Sequence, residues 1–121
     1  MGAPVAWFEI TSHDPNRLAG FYRELFAWSV ADSPDPGYLL VDTGAGEDAI
    51  GGGIGAAQGA GDPGGVTIYL KVDDLQEYLN RAESLGGKTI VQPTDLPGDF
   101  GKFAMFADPD GHTLEVMVTR P

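Results

Sequence analysis

The sequence predicts an α+β protein built from two tandem βαβββ modules. Three observations predict it. The order strand, helix, three strands can be read twice along the chain. The two readings align at a fixed offset, with Trp7 matching Thr67, Asp14 matching Asp74 and Leu25 matching Leu85, each sixty residues apart. A glycine-rich stretch separates them. Identity between the halves is poor, so the repeat lies in the order of element types. At 121 residues the chain is one domain. Module one covers about residues 1–56, a glycine-rich linker about 57–65, and module two about 66–121.

In the first module, Val5-Ala6-Trp7-Phe8-Glu9-Ile10 is short, aromatic and β-branched, and reads as a strand. Asp14-Pro15 starts a helix: Asp caps orphan N–H groups, and Pro fits the first helical position. Leu18, Phe21, Tyr22, Leu25 and Phe26 recur at helical spacing and form one apolar face. Ser29-Val30-Ala31, Tyr38-Leu39-Leu40-Val41 and a weak run near Ile50 to Ile54 complete the module as strands.

The second module repeats the plan. Val66 to Val72 has strong β propensity. Asp73-Asp74 offers a cap, Leu75, Tyr78, Leu79, Ala82 and Leu85 form a helical stripe, and Gly86-Gly87 ends it. Three strands follow: Thr89-Ile90-Val91, Lys102 to Phe106, and Thr113 to Val118. Asp108-Pro109-Asp110-Gly111 closes the last pair as a tight turn.

Composition excludes several classes. There are no cysteines, so disulfide staples, zinc–thiolate sites and thiol catalysis are absent. The N-terminus has no basic region followed by an apolar run, and no stretch approaches the roughly 18 apolar residues that span a bilayer. A cytoplasmic chain with no membrane partner is expected. The net charge of −11 repels phosphate backbones, which argues against nucleic acid. It favours solubility, or attraction of a cationic ligand.

Gly51-Gly52-Gly53-Ile54-Gly55-Ala56 superficially suggests a nucleotide loop. That motif needs a helix after it to hold the phosphate, and Ala57 to Gly64 cannot form one. The two histidines, His13 and His112, lie in loops and read as solvated side chains; a three-histidine zinc site is impossible by count. No nucleophile-elbow motif supports a Ser-His-acid set. Two carboxylates stand apart. Glu9 and Glu115 sit inside strands, where an acid is costly unless it faces water, a partner or a ligand.

Trp7-Phe8-Glu9-Ile10 leading to Asp14, Phe21-Tyr22 with Leu25-Phe26-Ala27-Trp28, Val72-Asp73-Asp74-Leu75, Gly86-Gly87, and Asp108-Pro109-Asp110-Gly111-His112 before Glu115 together resemble the vicinal oxygen chelate superfamily. Glyoxalase I, bleomycin-resistance proteins and extradiol dioxygenases belong to it. The resemblance covers nearly the whole chain. It implies a cupped mixed β-sheet covered by helices, with the ligand in the cup, and a homodimer, which would also cover unpaired sheet edges.

Metal-dependent members of that superfamily draw ligands from the first and last strands of each module. Carried over, those positions fall near Trp7, near Gly51 or Gly52, on Thr67 and on Glu115. Only Glu115 is a competent ligand. The expectation is therefore no metal and no other cofactor, with Glu9 as the second oxygen ligand if a divalent ion binds after all.

The cup lining implied by the resemblance is Trp7, Glu9, Thr67, Tyr69, Phe106 and Glu115. Phe106 enters because a turn over Asp108 to Gly111 would set Ala104 opposite Glu115 and place Phe106 on the same side. An aromatic cup with two carboxylates suits a small aromatic or cationic organic molecule. The alternatives are a metal-dependent lyase, isomerase or dioxygenase using Glu9 and Glu115, or an interaction module whose cup is filled by its own side chains.

Overall fold

A computed structural model describes residues 2–96 and 100–119. The order of elements is β1 (Val5–Ser12), α1 (Pro15–Phe26), β2 (Ser29–Asp32), β3 (Leu39–Asp42), β4 (Gly51–Ala56), β5 (Gly65–Lys71), α2 (Leu75–Ser84), β6 (Lys88–Asp95), β7 (Gly101–Ala107) and β8 (Thr113–Thr119). This is the βαβββ plan read twice from the sequence. The chain forms two compact units: Trp7–Val66 makes one, and the residues up to Ala6 group with those from Thr67 onward in the other. The first residues therefore belong with the second module, not the first. Lys71 N–H donates to Pro4 O at 3.0 Å, and Ala3 packs on the second module's core.

In module one the strands run in the order β2-β3-β4-β1. β1 pairs with β4 in parallel, and the other pairs are antiparallel. Asp14 accepts from Arg17 N–H at 3.2 Å and Pro15 follows as the first helical residue, so α1 starts where its cap chemistry requires. Ile10, Ala19, Leu39, Val41 and Ile54 form the core, with Phe8, Leu18, Tyr22, Trp28 and Val30 packed on it. The helix seats on Ala19, Leu18 and Tyr22. Phe21, Leu25 and Phe26 of the expected apolar face are 57%, 58% and 53% exposed. A small residue at the contact lets the helix approach the sheet and turns the larger side chains outward.

Ala27 ends α1 in the left-handed region at φ 58°, which costs a non-glycine residue about 1 kcal/mol. The turn brings Trp28 back onto the module, where its ring stacks on Tyr22 at 5.1 Å and tilts against Phe8 at 5.4 Å. Those contacts offset the strain.

Module two has the order β5-β8-β7-β6, with β5 parallel to β8. Asp74 caps α2 by accepting from Glu77 N–H at 3.1 Å. Gly86, at φ 98°, supplies the reversal after the helix, and Gly87 N–H donates to Ala82 O at 2.8 Å. Val72, Leu75, Leu79, Ala104 and Val116 form the core, flanked by Leu70, Tyr78, Phe106 and Val118. β6 is longer than the sequence suggested and carries register shifts around Val91. It accommodates Pro93 because it lies at the edge of its sheet, where a missing N–H is tolerated.

The β7–β8 hairpin differs from expectation by one residue. Met105, not Ala104, lies opposite Glu115, and Phe106 lies opposite Leu114. The loop holds five residues, because Asp108 N–H donates to His112 O at 2.8 Å and Asp108 Oδ1 accepts from His112 N–H at 2.9 Å. Absorbing His112 into the turn shifts the register, and a shift of one exchanges the two faces of a strand.

Candidate functional site

Alternation along β1 separates two sets of side chains. Phe8 and Ile10 pack into the core under α1, so Trp7 and Glu9 project from the opposite face. In the β1–β4 ladder Trp7 is beside Gly51 and Glu9 beside Gly53. The glycine run that imitates a phosphate loop is thus strand β4, and close approach by aromatic rings explains its composition. A Cβ at Gly52 would fall inside the Phe8 ring on the helix side. On the helix-free side, a Cβ at Gly51 would meet the Trp7 ring at 3.0 Å, and one at Gly53 would fall inside the Tyr38 phenol. Tyr38 also lies 3.0 Å from the Cβ position of Gly55.

Tyr38 is the residue that sequence reasoning missed, having placed it at the start of a strand. It lies in the turn before β3, and its ring runs along the glycine floor. Trp7 Nε1–H donates to its phenol oxygen at 3.1 Å. Module one thus brings Trp7, Glu9 and Tyr38 together on one face, all half-buried. The only signal for Tyr38 in the sequence was a run of alternate glycines needing an occupant.

In module two, Leu70 faces the core beneath α2, so Thr67 and Tyr69 take the other face. Tyr69 pairs with Glu115 across the parallel ladder, and Met105 flanks Glu115 from β7. Glu115 is 4% exposed and Tyr69 8%. Thr67 Oγ1 donates to Thr113 O at 3.0 Å, so its hydroxyl serves the sheet. Thr67, Tyr69 and Glu115 share a face as expected. Phe106 does not: it packs with the helix-side core, and Met105 and Phe103 occupy Glu115's face instead.

The registers also correct one position carried over from the superfamily. Glu9 and Tyr69 are sixty residues apart, Glu9 pairs with Gly53, and Tyr69 pairs with Glu115. The first-module counterpart of Glu115 is therefore Gly53, not Gly51 or Gly52. The four positions implied to hold a metal are then Trp7, Gly53, Thr67 and Glu115. They supply one carboxylate, one hydroxyl already donating to a carbonyl, an indole N–H and no side chain. That donor set does not fit a divalent ion. Among the described residues, no group of three or more His, Asp or Glu side chains is placed to share one.

The histidines are peripheral. His13 Nε2 lies 2.5 Å from Asp62 O, and His112 Nδ1 lies 3.1 Å from Asp108 Oδ2. The N–H of His112 holds the Asp108 carboxyl below the usual aspartate range, and the N–H groups of Gln58 and Gly64 do the same for Asp62. Both are turn-stabilising carboxylates. Two shallow cavities lie elsewhere: one of about 370 Å³ lined by Ser12, His13, Asp14, Arg17, Leu18 and Phe21, and one of about 300 Å³ beside Pro4, Lys71 and Tyr78. Neither includes any of the six expected lining residues. No described helix is long and apolar enough to cross a membrane.

Known proteins resemble this chain in sequence and in fold. Residues 7–117 match the Glyoxalase-like domain family. The anthracycline biosynthesis protein DnrV of Streptomyces peucetius is 33% identical over 95% of this chain and 46% of its own length. The chain thus spans less than half of that curated relative. A hypothetical protein from Bacillus halodurans C-125 superposes with a TM-score of 0.73 at 12% identity, covering 100% of this chain and 97% of that one. A glyoxalase/bleomycin resistance protein/dioxygenase superfamily member from Vibrio splendidus 12B01 gives 0.63 at 16% identity, covering 97% and 99%. The chain is a member of the Glyoxalase-like domain family, within the vicinal oxygen chelate superfamily.

Proposed function

We propose that this chain binds a flat, hydroxylated, cationic aromatic molecule of the anthracycline class, without a resident metal. The observation that carries this reading is the Trp7–Tyr38 pair laid along the β4 glycine floor beside Glu9. Two half-buried rings offer stacking area, and a carboxylate on the same face attracts a cation. Taken by itself, module two offers Thr67, Tyr69 and Glu115 as proposed ligand contacts on its own helix-free face, with Met105 in place of Phe106. Anthracyclines combine fused aromatic rings, hydroxyl groups and an amino sugar, which meets these requirements. The relationship to a protein named for anthracycline biosynthesis supports the class. The net charge of −11 adds long-range attraction for a cation. The absence of a competent ligand set at Trp7, Gly53 and Thr67 supports metal-free binding. A cytoplasmic homodimer is proposed as the working form, since β2 and β6 lie at sheet edges that a second copy can cover.

The test is calorimetric titration with doxorubicin at low and high salt, paired with native mass spectrometry with and without a chelator. Saturable binding weakened by salt, on a protein of unchanged mass after chelation, supports the proposal. No binding at concentrations up to about 1 mM defeats the ligand class. One chelator-sensitive divalent ion per chain defeats the metal-free reading and returns Glu9 and Glu115 as ligands.

A further inference from the structure

We infer that Tyr38 is a positioning residue that stands in for the side chain missing at position 53 and fixes the orientation of the Trp7 indole. This rests on the proposed binding role of Trp7. Three observations converge on it. The ladder registers make Gly53 the counterpart of Glu115, so module one lacks a side chain where module two has a buried carboxylate. The volume that a side chain at Gly53 would enter is filled by the Tyr38 phenol, delivered from the turn before β3. The same phenol oxygen accepts the indole N–H of Trp7 at 3.1 Å.

The consequence is chemical as well as steric. In place of an acid, this position of module one presents a phenol oxygen with an indole held beside it. A flat aromatic surface is held at a set angle, and the indole N–H is directed inward to Tyr38 rather than toward a ligand. An indole held by one hydrogen bond and a packed neighbour loses less freedom on stacking, which favours flat ligands. Specificity in module one therefore depends on a residue that need not bond the ligand itself.

Tyr38→Phe tests this, because it keeps the ring over Gly53 and Gly55 and removes only the acceptor. The indole N–H resonance of Trp7, assigned by its loss in Trp7→Phe, is followed with its solvent exchange. Doxorubicin affinity is measured in parallel. The expected result is a shifted, faster-exchanging Trp7 indole signal and about a tenfold weaker affinity, the scale of one net hydrogen bond. An unchanged indole signal overturns the inference. So does a changed signal with unaltered affinity in a protein that binds the drug. If the wild-type protein binds no anthracycline, the functional reading fails, and the indole signal alone still decides whether Tyr38 fixes Trp7. Gly53→Ala provides a second variant: it should displace the Tyr38 ring and give the same spectral change without touching the hydroxyl.

Discussion

Tyr69 and Glu115 are neighbours in the parallel β5–β8 ladder, and both are buried, at 8% and 4% exposure. Glu115 is the one buried charged residue among those described. A carboxylate so placed has to be compensated, and Glu115 takes part in interactions within the protein. Glu115→Ala is expected to lower the unfolding free energy by about 1–3 kcal/mol, because it orphans whatever the carboxylate serves. Glu115→Gln, which keeps shape and part of the bonding, should cost less than half as much. Urea denaturation reads both; an alanine variant as stable as wild type would contradict the compensated-carboxylate account.

The glycine floor of β4 makes a sharper prediction. Gly52→Ala drives a methyl into the Phe8 ring, and Gly53→Ala drives one into Tyr38. Overpacking of this kind costs about 1–3 kcal/mol. The clash has a named partner in each case, so a double-mutant cycle should recover most of the cost: Gly53→Ala in a Tyr38→Ala background, and Gly52→Ala in a Phe8→Ala background. Additive costs in thermal or chemical unfolding would show that the glycines serve the backbone instead.

Ile54 in module one and Leu79 in module two, the largest fully buried side chains among the described residues, anchor separate cores. Leu79→Ala should lose about 2–5 kcal/mol, and the milder Ile54→Val about 0.5–1.5 kcal/mol. Equilibrium denaturation is the measurement. A Leu79→Ala loss under 1 kcal/mol would mean that α2 collapses into the vacated space.

Acid should loosen two turns. The Asp62 and Asp108 carboxyls are both held below their ordinary range, mainly by backbone N–H donors. A folded-state value below the unfolded one makes a contribution that is present above the unfolded value and lost as pH falls through the folded one. Stability should therefore decline below about pH 4. Asp108→Asn and Asp62→Asn should each flatten that decline while leaving the profile between pH 6 and 8 unchanged in slope. A melting-temperature series against pH decides it, and identical acid limbs in wild type and both variants would refute the assignment.

Much of this fold was legible because local chemistry sets it. Asp14 with Pro15, and Asp74 ahead of Leu75, placed both helix starts within a residue, since capping depends on side chains next to the orphan N–H groups. The alternation Trp7-Phe8-Glu9-Ile10 assigned the two faces of β1 correctly for the same reason: a strand repeats every two residues whatever lies around it. Period alone could not say which face of α1 is covered. Ala19 wins the contact over Phe21 and Leu25 because distance of approach, not hydrophobicity, decides it.

What the sequence by itself determined was the tandem βαβββ order, the helix caps, and the membership of Trp7 and Glu9 on one face and of Thr67 and Tyr69 on another. Only the tertiary structure decided the registers. One residue, His112, drawn into the β7–β8 turn by Asp108, moves Met105 to Glu115's side and Phe106 to the core. The parallel ladders join strands far apart in sequence, so no turn between them could reveal that Gly53 matches Glu115 or that Tyr38 fills the gap. Those relations arise from non-local pairing and steric exclusion, and both exist only once the chain has closed on itself.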